Sequence, residues 1–109
     1  MGRELVVIQT VEVDRATVER LRDELECAVQ AFWDHPPAPN GGPPELMVDL
    51  RPVRFLDSSG IRELVQADAA MRSAGGRLRV LVEPGIVRRT LEVSGVWDHL
   101  GADATNGTA

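Results

Sequence analysis

Asp57-Ser58-Ser59-Gly60 is the part of this chain richest in groups that can do chemistry: a carboxylate, two hydroxyls and a glycine. It stands between the apolar cluster Val53, Phe55, Leu56 and a helical spacing that begins at Ile61. Asp and Ser cap helices by accepting from the first unpaired backbone N–H groups, and capping alone accounts for both residue types here. A second reading adds chemistry. Hydroxyls at a helix N-terminus lie where the macrodipole and free N–H groups tolerate a phosphate, which makes this segment a candidate for regulatory serine phosphorylation.

Other constellations assemble less well. Ser58 or Ser59 with Asp98 and His99 forms a hydrolase set on paper, but the Gly-x-Ser-x-Gly elbow is absent, and an acid adjacent to the histidine does not orient it as a triad acid does. His35 and His99 have no second ligand at a metal-binding interval and read as isolated surface histidines, so no metal or cofactor is expected. Asp49 or Asp57 could accept a phosphoryl group at the end of a strand. A receiver-type site, however, would need a lysine and paired acids after the first strand, and both are missing. Arg88-Arg89 reads as two arginines on a solvated helix face.

The 109 residues carry twelve basic and seventeen acidic side chains, a formal charge of −5, and every basic one is arginine. Without lysine there is no Walker-type phosphate loop and no side-chain Schiff base. The acidic balance and the lack of a cationic stretch speak against nucleic acid. The single Cys27 excludes an internal disulfide and fits a helix surface in a reducing compartment. No apolar run approaches the roughly 18 residues of a membrane span, so the expectation is a cytoplasmic protein without membrane insertion.

The elements that must hold the segment follow from the hydrophobic period. Leu5 to Val13 reads as one strand. Val18, Leu21, Leu25, Val29 and Phe32 recur at spacings of three and four, one helix stripe with Asp14 as N-cap. Residues 34 to 45 hold five of the seven prolines and form an exposed loop, expected to be dispensable. Leu46–Leu50 reads as a buried strand. Ile61, Leu64, Val65 and Ala69 mark a helix ending at a left-handed Gly75. Leu78–Val82 is a further strand, and Pro84 opens a helix carrying Ile86, Val87 and Leu91 to Gly95, with a frayed tail over 101–109. Alternating strands and helices imply a single α/β domain over 1–109, a mostly parallel or mixed sheet of about four strands with helices packed against it.

Leu46 to Val65, LMVDLRPVRFLDSSGIRELV, resembles the signature stretch of STAS domains, the fold of bacterial anti-sigma factor antagonists and of the cytoplasmic ends of sulphate transporters. Val11-Glu12-Val13-Asp14 is similar to the family's Gly-Glu-Leu-Asp turn, and Pro84 through Leu91 to Val96 is similar to its third helix. The likeness spans about residues 5 to 100. It departs from the family in Val11 for glycine, in the long proline loop, and in lacking the usual additional N-terminal strand and final helix.

The resemblance implies an anti-sigma factor antagonist that is a substrate and a switch, not an enzyme. Unphosphorylated, such a protein binds an anti-sigma factor that is also a serine kinase; phosphorylation, here at Ser58, ends binding, and a metal-dependent phosphatase of the PP2C type restores it. The expected docking surface is Asp57, Ser58, Ser59, Gly60 and Arg62. Gly60 would allow close approach of the partner's backbone, so Gly60→Val is expected to lower binding more than stability. Ser58 is the outermost hydroxyl, and Ser59 is expected to bond a nearby backbone group. The other readings are a non-phosphorylated STAS adaptor or scaffold, in a lipid transporter or a stress-signalling complex, and, more remotely, a small serine hydrolase.

Overall fold

The computed structural model describes residues 3–34 and 45–100. The body of the proline loop, His35 and the tail 101–109 lie outside the described residues. In chain order the elements are β1 (Arg3–Val7), β2 (Glu12–Val13), α1 (Val18–Asp34), β3 (Glu45–Asp49), β4 (Phe55–Leu56), α2 (Ser58–Ser73), β5 (Arg77–Leu81), α3 (Ile86–Val93) and α4 (Trp97–Leu100).

The architecture is the expected α/β, but with five strands in two sheets among the described residues. β1, β3 and β5 form a parallel sheet in that order, and β2 pairs in parallel with β4 as a two-stranded ribbon. Each crossover, through α1 and then α2, advances the sheet one strand in the same direction. With a constant right-handed connection, both helices then fall on one face. That face presents Leu46 and Val48 of the central strand in register with Leu78 and Val80, all buried. The opposite face carries Leu5 and Val7, which are 58% and 40% exposed.

The strand expected over Leu5–Val13 is interrupted at Gln9-Thr10. There the backbone leaves the main sheet, and its N–H groups need another acceptor. Glu24 of α1 supplies it: its carboxylate accepts from Gln9 N at 2.6 Å, Thr10 N at 3.2 Å and Thr10 Oγ1 at 2.6 Å. The chain then re-enters pairing as β2, with Val13 opposite Leu56. Apolar alternation carries no trace of this, because the acceptor comes from a helix fourteen residues away.

Asp14 caps the turn leading into α1. Its carboxylate accepts from Ala16 N and Thr17 N, while Thr17 Oγ1 accepts from Asp14 N at 3.0 Å, so three backbone donors are satisfied, the Asp14–Thr17 pair reciprocally. Val18, Leu21, Leu25 and Phe32 are buried and Val29 packs against the core, the stripe read from the spacing. In α2 the pattern needs correction. Ala69 is exposed, and Asp68 and Met71 face inward with Ile61 and Leu64. Asp68 is tolerated at 1% exposure because it accepts from Leu78 N at the start of β5 and from Arg72 Nε at 2.8 Å.

α2 ends at Gly75, whose φ of 92° lets Gly76 N donate to Met71 O and Gly75 N to Arg72 O. At α3 the first-turn role expected of Pro84 is not observed: Gly85 is the N-cap and Pro84 precedes it. Val87 and Leu91 are buried, whereas Ile86, expected in the stripe, is 60% exposed. Cys27 is exposed on α1. No helix among the described residues is long and apolar enough to cross a membrane.

Candidate functional site

The site is built by the β2–β4 ribbon and the first turn of α2. Asp57 is the N-cap, in extended conformation with φ −105° and ψ −171°, and its carboxylate accepts from Ser59 N at 2.9 Å. Ser59 Oγ donates to the same oxygen. Ser59 is thus tied to the Asp57 carboxylate and not, as expected, to a backbone group. Ser58, the first residue of the helix, is exposed, and its hydroxyl bonds to none of the described residues. One hydroxyl is engaged in the cap; the other is free for solvent or a partner.

Hydrogen bonding from Ser59, side chain first and then backbone, holds the Asp57 carboxyl below its ordinary 3.8, against a smaller opposing effect of burial and with help from the charge of Arg15. Asp49 is also held below that value, chiefly by its side-chain bonds with Arg51, with burial opposing. Arg51 grips Asp49 through Nε at 3.0 Å and Nη2 at 2.9 Å, so Asp49 is a buried, paired carboxylate and not an open phosphoryl acceptor. A carboxyl whose folded pKa is depressed contributes stability that is complete above its unfolded value and lost as pH falls through the folded one. The thermal midpoint should therefore be flat across this contribution above about pH 5 and decline below about pH 4, with a shallower decline in Asp49→Asn. Calorimetric scans from pH 6 to 2.5 check this, and parallel slopes for the two proteins would contradict it.

Gly60 does not line the open surface. It is buried, and a Cβ built there would overlap Leu56 Cδ1 and lie 2.7 Å from Val13 Cγ1. Both of those side chains are fully buried, so the glycine allows the helix to sit directly on the ribbon. Its role in the site is to set the position of Ser58 from below. Arg62, one turn beyond Ser58, is exposed beside it. Phe55 and Val11 of the ribbon region, each 44% exposed, lie on elements adjoining this turn and were not singled out as site residues from sequence. The available signal was weak, since a Phe between Arg54 and Leu56 in a short apolar cluster also fits a core position.

Of the remaining candidates, the side chain of His99 lies outside what the structure describes. Asp98 is exposed on α4, and the carboxylate held by Ser59 is Asp57. Arg88 lies 4.8 Å over the Trp97 ring and pairs with Glu92 at 3.0 Å, while Arg89 is exposed. No group of three potential metal ligands occurs among the described residues.

Residues 2–101 match the domain family described as Mlab, STAS domain. Among solved structures, the chain is similar to that of the anti-sigma factor antagonist SpoIIAA in its unphosphorylated form. The TM-score is 0.65 and the identity 24%, over 97% of this chain and 84% of that one, a likeness of fold. No curated protein matches the chain.

Proposed function

The chain belongs to the STAS domain family, and from that membership we propose that it is an anti-sigma factor antagonist whose partner binding is switched by phosphorylation of Ser58. The observation that carries this reading is the division of labour at the start of α2: Ser59 completes the cap, and Ser58 presents an unengaged hydroxyl at the surface. A kinase acceptor has to reach the γ-phosphate, and only the outer serine can do so without dismantling the cap. The partner is an anti-sigma factor with serine kinase activity, and a PP2C-type phosphatase resets the switch. The chain itself is a substrate, and this partnership places it in the cytoplasm.

The docking surface consists of the exposed or half-exposed Asp57, Ser58, Ser59 and Arg62, held by Gly60 beneath. Phosphate adds about −1.5 to −2 charges where the helix N-terminus accommodates them, so the fold survives while an apposed partner surface suffers repulsion and desolvation. Ser58→Ala should bind the kinase and accept no phosphate. Ser59→Ala should still be phosphorylated, and Ser58→Asp should fold but bind at least about tenfold more weakly, roughly 1.4 kcal/mol. Phosphate transfer from labelled ATP by the anti-sigma kinases of the source cell, with the site mapped by mass spectrometry, tests all three. Phosphate on Ser59, or full-strength binding by Ser58→Asp, overturns the assignment.

Membership of the STAS family also accommodates a second reading, a non-phosphorylated STAS adaptor or scaffold subunit of a lipid transporter or a stress-signalling complex. That reading predicts stable partner binding with no phosphate incorporation and no penalty for Ser58→Asp.

A further inference from the structure

α1 and α2 run side by side, and their outer edges do not meet. Between them is an open groove of about 410 Å³. Its floor is apolar: Leu25 and Val29 on α1 face Ala67 and Ala70 on α2, where the short alanine side chains leave the space. One end is closed by the Arg22–Glu63 ion pair at 3.0 Å, and the groove extends to the level of Gln30 and Ala70. From Arg22 to Gln30 is eight residues, a rise of about 12 Å, or roughly two turns of a docked helix.

The rim is acidic. Glu19, Asp23 and Glu26 follow one another at spacings of four and three along α1, and none forms a hydrogen bond or ion pair with the described residues. Arg22 lies within the field of Glu19 and Glu26, but its guanidinium is committed to Glu63. Like charges at this spacing disfavour a helix on its own, and the charge of Arg22 offsets them in part. Arg62 is exposed on α2 outside the lining, and Gln30 and Gln66 are neutral rim groups.

We propose that the α1–α2 groove is a second binding site, separate from the Ser58 surface, for a basic amphipathic helix of a partner protein. Two apolar anchors three or four residues apart fill the space above Leu25, Val29 and Ala67, and arginine or lysine on the flank meets Glu26 and the acidic row behind it. The proposal does not depend on the phosphorylation reading, because the groove begins more than a turn beyond Ser58 and contains no residue of the cap.

The test uses two synthetic 16-residue helical peptides with identical leucine anchors, one flanked by arginine and one by glutamate, titrated into the ¹⁵N-labelled chain. The expected result is shift changes confined to α1 and α2 around Val29 and Ala67, with the arginine peptide binding at least tenfold more tightly than its acidic counterpart. Glu26→Arg should reverse the preference, and Ala70→Leu should reduce binding at least fivefold by filling the slot. Both positions are exposed, so thermal midpoints should stay within a few degrees of wild type. Equal affinity for the two peptides, shift changes elsewhere, no binding, or sedimentation showing the groove covered by a second copy of the chain would each overturn the proposal.

Discussion

Gly60→Val should lower stability by about 3 kcal/mol or more, a fall in melting temperature above roughly 12 °C for a domain near this size. The added carbons enter space held by Leu56 and Val13, which are 1% and 0% exposed and have no open side to move towards. Overpacking of a closed site forces off-rotamer side chains or lifts the helix, and here the lifted element carries Ser58. Gly60→Ala should cost less, about 1–2 kcal/mol, because alanine's helix propensity returns up to ~1 kcal/mol. Leu56→Ala costs stability alone but makes room for the new methyl, so the double variant should be about 1 kcal/mol more stable than the sum of the singles. Melts of Gly60→Val within about 2 °C of wild type would show that the first turn tolerates a Cβ. The same geometry inverts the expectation drawn from sequence: stability, and not partner contact, is the primary casualty of a side chain at residue 60.

Glu24→Ala should lower stability by about 3 kcal/mol. It removes the acceptor of three charge-assisted bonds at the break between β1 and β2, two to backbone N–H groups and one to the Thr10 hydroxyl. Water can replace the bond to Gln9, which is exposed; Thr10, only 8% exposed, is left with donors that solvent reaches poorly. Glu24→Gln keeps one acceptor oxygen and should lose about half as much. Urea titrations give the two values. Amide exchange at Thr10 should accelerate far more than at Val48 in the central strand, since the first reports the local tether and the second the global fold. A loss under about 0.5 kcal/mol in Glu24→Ala would mean that the turn is held by its own backbone.

Local chemistry was legible wherever a residue's role depends on its near neighbours. The α1 stripe from Val18 to Phe32, the Asp14 cap, the Gly75 helix end and the exposed Ser58 beside Asp57 all follow from spacings of one to four residues. Periodicity, capping and φ preference act over that range. The same range contains the STAS-like stretch from Leu46 to Val65, and with it the family.

Tertiary structure decided what depends on which distant residues meet. The run Leu5–Val13 has strand composition throughout, and only the carboxylate of Glu24 divides it into members of two sheets. Phe55-Leu56 is too short to register as a strand until it pairs with Glu12-Val13. Asp68 occupies an inward position against its polarity because Leu78 N and Arg72 are there to satisfy it. Gly60 looks like a surface glycine in a serine-rich turn; the side chains of Val13 and Leu56, brought beneath it by the ribbon, make it a packing residue. In each case at least one of the groups involved, Glu24, Glu12-Val13, Leu78 or Val13, is ten or more residues along the chain, and short-range sequence pattern carries no information about which partner that is.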